Sequence, residues 1–143
     1  MALNRLGDIP GARFGSPIQT HASVASNGAN ARLGQVGPFE YGIRVTSAWW
    51  TPTGADQAGT STASYRRITV INGGVSGTAT AILASINLTA TRASLAPVAM
   101  TVDTTATVAA GAALVFSQAT VGAASATNTQ LEAGQLNFSY EVL

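Results

Sequence analysis

The chain has 143 residues, no cysteine, seven basic residues that are all Arg, and a formal net charge of +1. A chain of this length fits one domain with a sizeable core. A near-neutral balance with scattered Arg residues disfavours nucleic-acid binding, which requires several phosphates to be neutralised. The absence of cysteine excludes disulfides and thiolate metal sites, and no apolar run is long enough for a signal peptide or a membrane span.

Residues 1–38 contain six glycines and three prolines, and they show no sustained helical or strand period. Glycine and proline at this density break both regular structures. Disordered tails are usually poor in apolar residues, but here such residues recur every few positions. We therefore predict an extended N-terminal arm that lies on a partner and buries these side chains one at a time: Leu3, Leu6, Ile9, Phe14, Ile18, Val24, Leu33 and Val36. The alternative is a flexible terminus without a role.

From residue 39 onward, the pattern is typical of short β-strands. Residues 41–47 alternate between apolar and polar side chains, and five further β-rich runs cover 65–71, 79–88, 98–102, 105–108 and 113–121. In the run 79–88, Ile82, Ala84 and Ile86 are expected on one face. The clearest alternation lies in 135–142, where one face carries Leu136, Phe138, Tyr140 and Val142. Such period-2 alternation indicates half-buried antiparallel strands.

The spacing of these strands predicts an all-β fold. Short strands separated by Gly, Asn and Pro are typical of sandwiches and jelly rolls. We expect an antiparallel β-sandwich or jelly-roll-like domain over residues 39–143, preceded by the arm over residues 1–38. No window shows the long amphipathic stripe of a helix with caps.

Residues able to carry chemistry are few and scattered. The one histidine, His21, has no carboxylate or second histidine nearby in the sequence with which to hold a metal. Asp56 and Asp103 lie in turn contexts, where the side chain usually bonds the local backbone. No nucleophile elbow, phosphate loop or dinucleotide fingerprint is present. We predict no enzymatic activity, no cofactor and no metal; a polysaccharide hydrolase would need two converging carboxylates.

Two pairs of adjacent residues are candidates for an interface. Trp49 and Trp50 fall on opposite faces of a strand, so one enters the core while the other faces outward. The outward indole is an interface anchor, a platform for stacking a sugar, or a side chain covered by the chain's own loops. Arg66 and Arg67 likewise face opposite sides, and one of them is expected to be buried or interfacial; an exposed surface position is the alternative.

A series of short motifs runs through residues 45–142 in a fixed order: Trp50-Thr51-Pro52, Thr53-Gly54, Ser64-Tyr65-Arg66, Val70-Ile71-Asn72-x-Gly74, Gly77-Thr78, Val108-Ala109-Ala110-Gly111-x-x-Leu114 and Val121-Gly122. In order and spacing they resemble the small β-sandwich head decoration, or capsid cement, proteins of tailed bacteriophages and prophages. The chain departs from that pattern at Ser64, where Asn is commoner, and at Ala112-Ala113, where an acidic residue is commoner.

The resemblance implies a structural virion protein on the outer surface of an assembled capsid, made in the host cytoplasm. Its expected partners are the major capsid protein and further copies of itself in a homotrimer. On this hypothesis the arm residues bind the capsid, and the candidate interface residues are Trp49, Trp50, Arg66 and Arg67. The alternative is a head fibre or tail adhesin that binds host-surface glycans through an exposed tryptophan.

Overall fold

The computed structural model describes residues 13–14, 18–24, 31–58, 61–78, 80–122 and 130–143. Within these ranges the chain is all-β, with ten strands and no helix. The strands are β1 Arg13–Phe14, β2 Ile18–His21, β3 Ala31–Val36, β4 Ile43–Pro52, β5 Tyr65–Gly74, β6 Ala81–Leu88, β7 Val98–Ala99, β8 Thr101–Val102, β9 Ala113–Val121 and β10 Gly134–Val142. They form two antiparallel sheets packed together, which confirms the predicted all-β class.

The first sheet is built around β10. This strand pairs with β4 along its whole length, from Gly134 opposite Pro52 to Val142 opposite Ile43. The other edge of β4 pairs with the short strand β7. The remaining edge of β10 is shared by two N-terminal strands, with β1 at its C-terminal end and β2 at its N-terminal end. The N-terminal strands therefore form one edge of this sheet.

The second sheet has the strand order β3-β9-β5-β6-β8. Its centre is β5, which pairs with β9 on one side and β6 on the other. The chain turns from β5 into β6 at Gly74, whose backbone φ of +65° favours glycine. The amide of Gly74 donates to Asn72 Oδ1 at 2.9 Å, so the asparagine side chain supports this turn.

The core lies between the two sheets because alternate residues of each strand point inward. In β4 and β10 the fully buried side chains include Trp50, Leu136 and Phe138. The second sheet contributes Ile68 and Phe116 among others, and the Phe116 and Phe138 rings meet with centroids 5.7 Å apart. Burying each such side chain stabilises the fold by about 1.5–3 kcal/mol. The alternation predicted for 135–142 is confirmed, with Tyr140 partly buried against the core.

The two sheets are joined along one side by a segment that changes sheet. Residues 98–99 pair with β4 of the first sheet, and residues 101–102 pair with β6 of the second. Between them, Met100 is buried and its amide donates to the carbonyl of Ala48 at 2.9 Å. The predicted strand over 98–102 is thus two short strands that close this side of the sandwich.

Two sequence expectations differ from the observed strands. In β6, Ala84 and Ile86 are buried as expected, but Ile82 is 46 % exposed, so the expected shared face is wrong at Ile82. The reason is a bulge: Val70 pairs with Ala84 and Ile71 with Ile82, which leaves Leu83 as an extra residue and reverses the alternation. The run 105–108 forms only an isolated bridge between Val108 and Ile43.

The N-terminal part of the chain supplies strands to both sheets. Residues 13–14 and 18–21 pair with β10, Val24 forms a bridge with Leu131, and residues 31–36 pair with β9. The division at residue 38 into an arm and a domain stays a prediction. The described strands on its N-terminal side lie within the sandwich.

Candidate partner-binding surfaces

The two adjacent tryptophans have different environments. Trp50 is fully buried in the core, so it does not belong to any surface that a partner could reach in the folded state. Trp49 is half-buried and lies on the outer face of the first sheet, opposite Asn137 of β10 and Ala99 of β7. Ser47 and Thr51 flank it on the same strand and face. The predicted split of the pair into an inward and an outward indole holds, and Trp49 is the outward one.

Trp50 binds the histidine of β2 across an intervening strand. Its indole Nε1 donates to His21 Nε2 at 3.1 Å, and His21 Nδ1 lies 3.1 Å from the carbonyl oxygen of Ala22. Because an indole N–H can only donate, Nε2 must accept, and the ring proton resides on Nδ1. Burial of the imidazole lowers the pKa of His21 below 6.5, although the Ala22 hydrogen bond raises it slightly. His21 is therefore held as a neutral ring.

Gly134 of β10 makes this contact possible. In the register of the first sheet it lies between His21 on one side and Pro52 on the other. A Cβ at this position would lie 2.8 Å from His21 Nε2, 2.8 Å from the Thr51 carbonyl oxygen and 2.9 Å from Trp50 Nε1. Real Cβ atoms do not approach so closely, so only glycine leaves room for the two rings to meet.

The two adjacent arginines also divide between the inside and the outside. Arg66 is 1 % exposed and its Nη1 donates to Oε1 of Gln118, which is itself fully buried. Burial lowers the pKa of Arg66, but a guanidinium remains charged at neutral pH. Arg67 lies on the outer face of the second sheet, where Nε donates to Asn87 Oδ1 at 3.0 Å. Its guanidinium lies 5.9 Å from the ring centroid of Tyr65.

The predicted arm residues are only partly described by the structure. Leu3, Leu6 and Ile9 lie outside the described residues. Phe14 and Ile18 lie in β1 and β2, with their backbones opposite Tyr140 and Asn137. A further pair, Leu33 and Val36, is partly buried and packs against the core cluster of this chain. A partner could contact only the solvent-exposed part of these two side chains.

The outer face of the second sheet carries an apolar row that sequence reasoning missed. Ile82, Ile71 and Val115 lie side by side on β6, β5 and β9. Ile71 alternates with the buried residues of β5 and is partly exposed, and Ile82 pairs directly with it. Val115 lies between the inward Leu114 and Phe116 and so belongs to the outer face, but it is itself only 7 % exposed. The side chain of Ile82 is 46 % exposed. Only the register of three strands and the bulge at Leu83 reveal this apolar row.

An ion pair lies at one end of the outer face of the first sheet. Arg44 of β4 and Glu141 of β10 are paired in register, and their guanidinium and carboxylate groups form a salt bridge. Their side chains are 38 % and 12 % exposed, respectively. They line an open cleft of about 370 Å³ together with Val45, Thr46 and Thr104. The two residues are 97 positions apart in the chain, so no local sequence signal could have paired them.

The polar side chains of the loops have structural partners. Asp103 Oδ1 accepts from the amide and the hydroxyl of Thr105, and these hydrogen bonds lower the pKa of Asp103. Asp56 accepts from the Ser94 amide at 2.7 Å. Gln57 is 1 % exposed, and its amide group bonds the backbone at Ala58, Gln130 and Glu132. Asp56 and Asp103 thus bond the local backbone or nearby loops, as expected of turn residues.

The described residues contain no group of three or more His, Cys, Asp or Glu side chains placed to hold a metal ion. In the same part of the chain, no helix has the length and apolarity needed to cross a membrane. No model of a known protein family and no curated protein matches the chain.

Proposed function

We propose that this protein is a structural, non-enzymatic component of a phage virion that binds the outer surface of an assembled capsid and bridges neighbouring major-capsid subunits. The observation that carries the proposal is the apolar row on the outer face of the second sheet, in which Ile82 is 46 % exposed, Ile71 is partly exposed and Val115 is 7 % exposed. Around it, Thr69, Ser85 and Ser117 are uncharged. Interface cores are depleted in charged residues relative to the rest of a surface, so this face has the composition of a contact surface.

The proposal has two finer parts. The sandwich follows a jelly-roll-like course and assembles as a homotrimer, and the N-terminal segment acts as an arm that reaches the capsid or a neighbouring trimer. Many weak apolar contacts repeated over a symmetric lattice give high avidity without a tight single site. The motif series in residues 45–142 supports the same reading through its resemblance to capsid decoration proteins.

The role of the apolar row is tested with capsids that lack this protein. Wild type and Ile82→Glu are mixed with such capsids and sedimented, and the bound fraction is measured. We expect Ile82→Glu to lose most of its binding because a buried carboxylate has no partner on an apolar contact. The matched control is Val75→Glu, since Val75 is an exposed apolar residue (74 %) in the turn after β5, outside the row. Equal binding by both variants would reject the row as the contact surface.

The arm is tested with a truncation that spares the sheets. Removing residues 2–12 leaves all ten described strands intact, whereas a cut at residue 38 would also remove β1, β2 and β3. The truncated chain should keep the circular-dichroism spectrum and melting temperature of the full chain and lose capsid binding. Undiminished binding would show that the arm has no part in it.

A second candidate function is supported by Trp49. The indole lies on an outer sheet face among hydroxyl and amide side chains, where a sugar could stack its apolar C–H face on the ring and bond its hydroxyls to the neighbours. In that case the protein is a head fibre or tail adhesin for host-surface glycans. A glycan array should then give hits for wild type and for Trp49→Phe, which keeps an aromatic ring, and none for Trp49→Ala. An array without hits for wild type would remove this candidate.

A further inference from the structure

The last residue of β2 holds that strand to the sheet through a contact that depends on its protonation state. His21 lies opposite Gly134 in the β2–β10 register, and its imidazole extends past the glycine to the indole of Trp50. His21 is 9 % exposed and Trp50 is fully buried. The contact therefore joins β2, whose backbone pairs with β10 over four residues, to the core of the sandwich.

Both nitrogens of the ring are already in use in the neutral form. Nε2 accepts the Trp50 indole proton, and Nδ1–H faces the Ala22 carbonyl oxygen. A second proton could bind only at Nε2, where it would point at the indole N–H and remove the acceptor. The resulting cation would also be buried, and no carboxylate among the described residues contributes to the pKa of this ring as a counter-ion would.

Among the described residues, the space beside the ring is restricted and no acidic side chain stabilises the cation. The Thr51 carbonyl oxygen and Trp50 crowd the space beside Gly134, as the three close approaches to its Cβ position show. Charged side chains on the elements around β2 are Arg32 on β3, Arg44 on β4, and Glu132 and Glu141 at or before β10. None of them contributes to the pKa of His21, which is lowered by burial. The free energy of a protonated imidazole is therefore lower in solvent than in this site.

We propose that His21 is a pH-sensitive switch: its neutral ring holds β2 on β10, and its protonation releases β2 from the first sheet while the central strands stay folded. The switch needs only the contacts of this chain and is independent of the capsid-binding proposal. Its consequence is that the N-terminal segment is held on the sandwich at neutral pH and becomes available for rearrangement in acid.

The pH dependence of β2 release follows from the difference in pKa between the bound and the released imidazole. The released imidazole has an ordinary pKa of about 6.5, whereas the pKa of the bound ring is lower. Release therefore takes up a proton, and the equilibrium constant for release rises as the pH falls below about 6.5, by roughly tenfold per pH unit. The rise ends once the pH falls below the pKa of the bound ring, and release is independent of this group above about pH 7.5.

The test uses isotope-labelled full-length protein, and the single histidine makes the imidazole signals unambiguous. At pH 7.5, ring nitrogen spectra should show the Nδ1-protonated tautomer. Between pH 6.5 and 4.5, amide exchange corrected for intrinsic rates should lose protection in β2, by up to roughly tenfold per pH unit. Protection at Ile68 and Val70 in β5 should change much less. A bound ring that titrates near 6.5, or equal protection of β2 at both ends of the range, would overturn the proposal.

His21→Gln is the matched variant, since its amide oxygen can accept from Trp50 but does not titrate. It should keep β2 protected and abolish the pH dependence of that protection. If His21→Gln shows the same acid response as wild type, a carboxylate such as Glu132 is the cause and the proposal fails. If this variant does not hold β2 at any pH, the wild-type ring titration and the contrast between β2 and β5 decide the outcome.

Discussion

Each sheet of the sandwich contains a buried hydrogen bond between two side chains, His21–Trp50 in the first and Arg66–Gln118 in the second, and these two contacts differ in charge and in position. In the first sheet a neutral imidazole, His21, accepts from Trp50 and ties an edge strand to the core. In the second sheet the guanidinium of Arg66 donates to Gln118 between two central strands, β5 and β9. The guanidinium of Arg66 stays charged at neutral pH although burial lowers its pKa, whereas His21 is held neutral because burial lowers its pKa below the ordinary value of about 6.5. The hydrogen bond between the central strands is therefore insensitive to pH near neutrality, whereas the hydrogen bond at the N-terminal edge depends on the protonation of His21.

The largest loss of stability is expected when the hydrogen bond between Arg66 and Gln118 is broken. Gln118→Leu removes the acceptor from a buried guanidinium, and the unfolding free energy should fall by about 3 kcal/mol because the partner of a buried charged group is lost. Urea denaturation measures it. Gln35→Leu, at an exposed position on β3, should change stability by less than about 0.5 kcal/mol. A loss below about 1 kcal/mol for Gln118→Leu would mean that the other contacts of Arg66 suffice.

Breaking the hydrogen bond between His21 and Trp50 should lower the unfolding free energy by a smaller amount. Trp50→Phe removes the indole donor and leaves a small cavity beside His21, with an expected loss of about 2 kcal/mol. Without a hydrogen bond that requires Nε2 to accept, the pKa of His21 should also rise toward its ordinary value, which a histidine NMR titration detects. Trp49→Phe is the control on the neighbouring, outward side chain and should leave the pKa unchanged. An unaltered pKa in Trp50→Phe would contradict the role given to this hydrogen bond.

The space beside the His21–Trp50 hydrogen bond can be filled without substituting either residue. Gly134→Ala places a methyl group within 2.9 Å of Trp50 Nε1 and 2.8 Å of His21 Nε2. Overpacking of this kind should cost about 1–2 kcal/mol. Gly42→Ala is the matched control, since the nearest atom to its Cβ position lies at 3.6 Å. Thermal melting of the two variants separates them, and equal melting temperatures would show that the rings shift aside easily.

The smallest loss of stability is expected for the partly exposed ion pair between Arg44 and Glu141 of the first sheet. Glu141→Gln leaves the Arg44 side chain, already 38 % exposed, in solvent. A loss of about 0.5 kcal/mol or less at low salt is expected, and it should vanish in 1 M salt because exposed pairs are screened. A loss that persists at high salt would place Glu141 among the buried contacts rather than the surface ones.

Much of the fold follows from local pattern. The alternation in residues 135–142 predicted the inward set of β10, since successive side chains of a strand point to opposite faces. The same rule predicted that Trp49 and Trp50, and Arg66 and Arg67, would separate. It could not say which member of each pair faces the core, because that depends on which face the opposing sheet covers.

The strands of residues 13–36 were not predicted. Their glycine and proline content resembles that of a loop, and their pairing partners, β10 and β9, lie about 80–130 positions further along the chain. Short edge strands gain their order from the sheet that receives them, not from their own sequence. Ile82 was misassigned for a related reason, since a bulge at Leu83 reverses the faces of β6 and is set by the partner strand.

The sequence by itself determined that this protein is a β-protein with one histidine, no cysteine and few charges, because composition and period-2 alternation are properties of the chain alone. Only the tertiary structure decided that His21 meets Trp50 past Gly134, that Arg66 is the buried arginine, and that Ile82, Ile71 and Val115 share an outer face. Each of these depends on strand register. Register is a relation between segments distant in sequence, and the packing of whole sheets fixes it.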